Sequence, residues 1–303
     1  MHDPTPSVSS AELDALRAHL ERAEPAFLAD LERLVNIDCG SFTKAGVDEV
    51  GRWTADRLRT LGATLTTHPN DQGLGDTVVA EIPGDDPAGP VLLCIGHLDT
   101  VFDPGTAAAR PFAITDGIAR GPGVTDMKSG LLAGLYAIAA LRDTPLGLPL
   151  ARLVFVANPD EEIGSPVSTP HIRRVAADVD ACLVLECARA NGDIVSSRKG
   201  NVGLVITVHG RAAHAGVEPE KGRSAILEAA RIVIDLHALN GRWPGVTVNV
   251  GVIEGGTRPN VVAERCTLEV DVRAVSRDAL EAAEAEIREI LRPRVVSDVT
   301  VEA

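Results

Sequence analysis

The chain has 303 residues, 45% of them hydrophobic, enough for two domains of ordinary size with full cores. Only 3% are aromatic and the formal charge is -14 at pH 7, which argues against stacking platforms for nucleic acid and against a general polyphosphate binder. A catalytic metal would offset carboxylates locally, so an anionic small substrate stays open.

Cys39, Cys94, Cys182, Cys187 and Cys266 show no Cys-x-x-Cys spacing and read as small buried hydrophobes of a reducing compartment. The N-terminus, 1–10, is polar and lacks the apolar region of a secretory signal, and no apolar run approaches membrane-spanning length. A soluble cytoplasmic protein with no membrane partner is the expectation.

In chain order, Ser10 is placed to cap a helix from Ala11, and Pro25 to start or kink a second that ends near Asn36. A helix over 47–61 follows, with Gly62 suited to the position just past its end. Strands are predicted near 63–67, 77–82 and 91–97, then a loop rich in Gly, Pro and Ala, then a helix over 127–142. Strands near 153–158 and 181–186 flank a short helix starting around Pro170. Helices interleaved with strands imply an α/β layer fold whose sheet is at least partly parallel.

Around 196–200 the pattern changes. A strand over 201–210, a helix over 222–239, strands over 246–253 and 266–272, a helix over 278–291 and a last strand over 296–301 give the β-α-β-β-α-β order of a ferredoxin-like unit. A domain boundary is therefore expected near Ser197, dividing the chain into 1–197 and 198–303.

Acids and imidazole gather at the predicted element ends. The apolar run 91–97 ends in His97-Leu98-Asp99, Asp126 precedes a helix, Asp160-Glu161-Glu162 follows a strand, and Glu186 follows Ala181-Cys182-Leu183-Val184-Leu185. In open α/β sheets the carboxyl ends of strands are where chemistry sits. So many carboxylates in one place repel unless cations intervene or protons are shared, and a divalent metal cluster resolves the repulsion. Imidazole with carboxylate and without thiolate suits zinc or cobalt, and also manganese. Neighbouring side chains diverge, so one of Glu161 and Glu162 is expected to bind metal while the other moves protons. Singly each residue has a plainer reading: Asp126 as a helix cap, the acidic triplet as a solvated turn, Glu186 as a surface residue.

Three motifs carry a resemblance: Gly96-His97-Leu98-Asp99-Thr100-Val101, the run 121–130 from Gly121-Pro122-Gly123 through Asp126-Met127-Lys128, and Asp160-Glu161-Glu162-Ile163-Gly164-Ser165. In this order and spacing they resemble the M20 metallopeptidases, most closely the glutamate carboxypeptidase (carboxypeptidase G2-like) branch. The resemblance implies a zinc-peptidase-like α/β/α catalytic domain with an inserted ferredoxin-like α+β lid and dimerisation domain. It implies that His97, Asp126 and Glu186 bind one zinc, that Asp126 bridges to a second held by Glu162, that Glu161 is the general base and that Asp99 orients His97. A cis peptide between Asp126 and Met127 is implied as well. In the lid, Gly210-Arg211-Ala212-Ala213-His214-Ala215-Gly216 matches the motif whose histidine stabilises the oxyanion, often from the partner subunit of a homodimer. Asn260 and Arg273 match the segments that bind a substrate carboxylate, and the competing reading for Arg273 is an ion pair with Asp271. Arg258 and Lys199 are assigned no role.

The activity so implied is release of a C-terminal amino acid, glutamate being one candidate, from a peptide or N-acyl conjugate. N-acyl amino acid deacylases and desuccinylases share the same metals. In the family a further segment follows the lid and supplies a histidine to the second zinc; here the sequence ends at Ala303 with no histidine after His237. That departure implies either a catalytic domain incomplete at its C-terminus, weakly active and working chiefly through dimerisation, or a second metal held by Glu162 and Asp126 with water. An exposed apolar face or unpaired strand edge is the structural expectation.

Overall fold

The computed structural model of the chain describes residues 8–303; most of the polar stretch that bears on a signal sequence lies outside them. The chain forms two compact units, 1–192 and 193–303. They divide between Gly192 and Asp193, slightly before the expected Ser197, inside a connection that carries no regular element between Val184 and Gly200.

Unit 1 begins with α1 (Ser10–Val35), capped by Ser9 rather than Ser10: the Ser9 hydroxyl accepts from the Glu12 amide while the Glu12 carboxylate accepts from the Ser9 amide. Pro25 lies inside this one helix and does not begin a second. Pro25 is exposed, so water can satisfy the carbonyl that its missing N–H leaves free. Then come α2 (Lys44–Thr60), β1 (Thr64–His68), β2 (Thr77–Pro83) and β3 (Val91–His97). A short α3 (Thr106–Ala109) and the hairpin β4 (Ala113–Thr115) with β5 (Ile118–Arg120) fill the stretch expected as loop. The turn Val124–Lys128, with a cis bond between Asp126 and Met127, leads into α4 (Ser129–Arg142). β6 (Arg152–Asn158), the single turn Glu161–Ile163, α5 (Thr169–Ala176) and β7 (Ala181–Val184) complete the unit.

The strand order is β1-β2-β6-β3-β7. β3 runs parallel to β6 and to β7, whereas β2 runs antiparallel to its neighbours β1 and β6. Both faces of the sheet are covered. Cys94, Phe155 and Ala157 join Leu34, Val50, Leu131 and Leu135 from α1, α2 and α4, while Leu93, Val154 and Val156 pack with Ile172 and Val175 of α5. Val124–Arg142 is, by length and composition alone, apolar enough to cross a membrane, contrary to expectation, yet half of it is buried within the unit as a core helix.

β7 is the exception to burial. All four of its residues are exposed, Leu183 and Val184 among them, and among the described residues it pairs only with β3. Cys182 is therefore exposed rather than buried, as is Cys187, while Cys39, Cys94 and Cys266 are buried as expected.

Unit 2 contains β8 (Gly200–His209), α6 (Ala225–His237), β9 (Thr247–Gly255), β10 (Arg265–Ala274), α7 (Arg277–Ile290) and β11 (Thr300–Glu302). Its antiparallel sheet runs β11-β8-β10-β9. Strict alternation along β10 sends Cys266, Leu268, Val270, Val272 and Ala274 to one face, where they pack against Ala229 and Ile232 of α6 and Ala283 and Ile287 of α7. The ferredoxin-like reading describes this unit.

Candidate metal centre

Parallel register brings the acids together. His97, the last residue of β3, is level with Asn158, the last of β6, so the chain leaving β6 delivers Asp160, Glu161 and Glu162 beside the imidazole. On the other side Ile95 pairs with Val184, and Leu185 N–H donates to the Ile95 carbonyl at 2.8 Å, which carries Glu186 up to the level of His97. Asp126 arrives from the turn before α4, and His97 N–H, directed at the Met127 sulfur at 3.2 Å, ties that turn to the strand end.

The result is a cluster within unit 1. His97 Nε2 lies 3.0 Å from Asp126 Oδ1 and 3.4 Å from Glu186 Oε1. Ligand atoms of His97, Asp126 and Glu162 all lie within 4.8 Å of one another, as do those of His97, Glu161 and Glu186. Glu161 and Glu162 thus sit in different corners of one site, as their adjacency on a single turn requires. The donor set, one imidazole with carboxylate oxygens and no thiolate, fits a hard to borderline divalent ion.

The electrostatics point the same way. Burial and the neighbouring Asp126 push Glu162 up to about 7, and burial with the carboxylates of Glu186, Asp99 and Asp126 raises Glu161. Burial alone would depress His97, but Asp99 and Glu186 outweigh it and push the imidazole up to about 11. The pocket demands positive charge, which a proton or a metal cation can supply.

Asp99 has a wider part than expected. Its backbone carbonyl is the nearer partner of His97 Nδ1, at 3.0 Å, with carboxylate Oδ1 at 3.3 Å; this favours the tautomer that leaves Nε2 facing the cluster. Its buried carboxylate accepts from Glu161 N–H at 3.1 Å, from Glu162 N–H at 3.2 Å and from the Ser41 hydroxyl at 2.6 Å. Asp160, also buried, takes the amides of Val167 and Ser168 and closes the acidic turn from behind. Nothing in the sequence pattern marked Ser41. Lys128 stood in a motif, but its partners, the carbonyls of Leu34 and Ile37, are remote in sequence.

The remaining sequence-derived site residues belong to unit 2. His214 bridges to Val261, and Ala215 N–H donates to the Asn260 carbonyl, so His214 and Asn260 share one loop cluster. Arg273, on β10, donates to Asp271 at 2.8 Å, the ion pair weighed as its plainer reading. A concavity of about 520 Å³ opens beside Gly256, Thr257, Arg258 and Pro259.

Comparison with known proteins bears on this geometry. Residues 196–299 match the M20 peptidase dimerisation domain. Over 263 residues the chain is 30% identical to carboxypeptidase G2 of Pseudomonas sp. (strain RS-16), covering 86% of this chain and 62% of that protein. It is 28% identical to acetylornithine deacetylase of Proteus mirabilis, covering 89% of this chain and 72% of that enzyme. The fold is similar to that of aminopeptidase PepT from Bacillus cereus, with a TM-score of 0.72 at 24% identity, over 91% of this chain and 75% of the other. The chain spans less than two thirds of the length of carboxypeptidase G2.

Proposed function

We propose that this chain, a relative of the M20 peptidases with their α/β fold and dimerisation domain, is a zinc-dependent amide hydrolase, a carboxypeptidase that releases a C-terminal amino acid such as glutamate from a peptide or N-acyl conjugate. The observation that carries the reading is the convergence of His97, Asp126, Glu161, Glu162 and Glu186 on one sheet end. His97, Asp126 and Glu186 would hold one ion, and Asp126 and Glu162 would hold another. When bound, the metal supplies Lewis-acid polarisation of water and of the scissile carbonyl. Glu161, raised by burial, is suited to accept a proton from the attacking water and return it to the leaving amine. Asp99 fixes the imidazole and the acidic turn together. His214 is assigned to the oxyanion, and Asn260 and Arg273 to the substrate carboxylate, for which Arg273 must exchange its bond to Asp271.

The match to a deacetylase supports a second reading, removal of an acyl group from an N-acyl amino acid by the same machinery. Unit 2 supports a homodimer, and the five free thiols accord with a cytoplasmic setting.

The test is zinc content per chain after dialysis, with hydrolysis of N-acyl-glutamates set against N-acetyl-ornithine. Wild type is expected to retain zinc and to cleave at least one class. Glu161→Gln is expected to keep the metal and to lose about 100- to 10,000-fold in turnover, the usual share of a general base. A metal-free, inactive wild type overturns the reading and leaves a protein acting through dimerisation; a fully active Glu161→Gln overturns the role of Glu161.

A further inference from the structure

The α1–α2 connection carries no candidate ligand, yet it grips the strand end that does. Thr100 N–H donates to the Cys39 carbonyl at 3.0 Å, Ser41 N–H donates to the Thr100 carbonyl at 3.3 Å, and Gly40 bridges to Thr100 between them. A Cβ at Gly40 would collide with the Phe102 carbonyl oxygen, so the approach is closer than any other residue permits. This bracket leaves Ser41 little freedom. Its hydroxyl is buried and delivered to Asp99 Oδ2 at 2.6 Å.

The direction of that bond follows from chemistry: an ionised carboxylate can only accept, so Ser41 donates. Among the described residues Asp99 is ion-paired to no lysine or arginine. Its carboxylate is satisfied by two backbone amides, the Ser41 hydroxyl and the neighbouring imidazole. Two of those donors are the amides of Glu161 and Glu162 themselves. Whatever fixes the Asp99 carboxylate therefore fixes where both glutamates begin.

We propose that Ser41 is a positioning residue for this site: through its hydrogen bond to Asp99 it holds the Glu161–Glu162 turn and His97 in the arrangement that receives the metal. The inference rests on the reading of the cluster as a metal centre for its functional meaning. Its physical content, a tether from Ser41 to two particular amides, stands apart from that reading.

The experiment compares wild type with Ser41→Ala and with Ser41→Cys, which nearly keeps the volume while replacing a strong donor by a weak one. Two quantities are read on the full chain: zinc affinity by chelator competition, and amide hydrogen exchange at Glu161 and Glu162 in the metal-free protein. Removal of a partner of this kind is expected to weaken zinc binding about 10- to 100-fold. Exchange at the two glutamate amides is expected to quicken about tenfold or more, while amides of β3 and β6 such as Leu93 and Val154 keep their protection. Unchanged exchange at Glu161 and Glu162, or an equal rise throughout unit 1, overturns the proposal; so does unaltered zinc affinity in both variants. Should Ser41→Ala fail to fold, Ser41→Cys carries the test alone. If wild type takes up no zinc, the metal-centre reading falls, and the exchange data still decide whether Ser41 is the tether.

Discussion

His97 and Glu162 set the terms on which a cation can enter. With the imidazole pushed up to about 11 by Asp99 and Glu186, and Glu162 pushed up to about 7 by burial and Asp126, both carry protons in neutral to mildly acidic solution. A metal ligand must give up its proton, so zinc uptake is expected to release the His97 proton throughout the neutral range and to weaken more steeply as pH falls below about 7, where Glu162 protonates as well. Titration calorimetry in buffers of differing ionisation enthalpy reads the number directly; uptake with no proton release would contradict it. Lys128 is a different kind of buried charge. Its ammonium donates to the carbonyls of Leu34, at 2.8 Å, and Ile37, at 3.3 Å, placing positive charge at the C-terminal end of α1, where the Leu34 carbonyl also accepts from Ile37 N–H. Lys128→Met is expected to destabilise unit 1 by about 2–3 kcal/mol in urea unfolding, the scale of hydrogen bonds to a charged group. The acids and the histidine were legible in the sequence because they sit at the ends of periodic apolar runs. Ser41 and Lys128 were not, because their meaning lies in carbonyls and carboxylates 58 and 94 residues away.

Among the elements, those with a clear period were legible and those without were not. β10 alternates over its whole length and α7 shows its apolar face at helical spacing, so both were evident from pattern. The three-residue strands β4 and β5 are too short to show a period, and in β7 an apolar run stood for burial that the strand, on the edge of its sheet, does not have. α6 owes its seating to a contact no pattern reveals. Glu228, buried in its first turn, accepts the amides of Arg294, Val295 and Val296 and the Arg231 side chain, while Arg231 also reaches the carbonyls of Ile290 and Arg292 at the end of α7. Burial works to raise the Glu228 carboxyl, but those donors prevail and hold it below its usual value of 4.5. A carboxyl depressed on folding stabilises above its unfolded pKa and loses that contribution as pH falls through the folded one. Unit 2 is therefore expected to weaken in acid below about pH 4.5. Glu228→Gln should lower its stability by about 2 kcal/mol at neutral pH and flatten this part of the acid dependence, as followed by thermal unfolding from pH 3 to pH 7.

At the scale of the molecule each of the two units has a hydrophobic core of its own. Unit 2 buries Ile206, Val208, Ile232, Leu236, Leu268, Val272 and Ile287 in a core made wholly of its own residues, and its sheet and the Glu228 clamp are complete within 193–303. Unit 1 likewise draws its core from α1, α2, α4 and the five-stranded sheet. A domain with its own hydrophobic core can in principle fold alone. The segment 193–303 expressed alone is therefore expected to give a single cooperative thermal transition, and Glu228→Gln to lower its midpoint as it does in the full chain. Lys128→Met offers the converse: in the full chain it should move only the signal that reports on unit 1, such as Tyr136, which hydrogen-bonds Asp30 on α1. A fragment 193–303 that melts without cooperativity, or a Lys128→Met variant that shifts the unit 2 transition equally, would mean that neither core suffices alone. The metal centre provides the last separation. Its candidate ligands all lie in unit 1, so zinc should raise the unfolding temperature of that unit and leave the isolated 193–303 segment where it was.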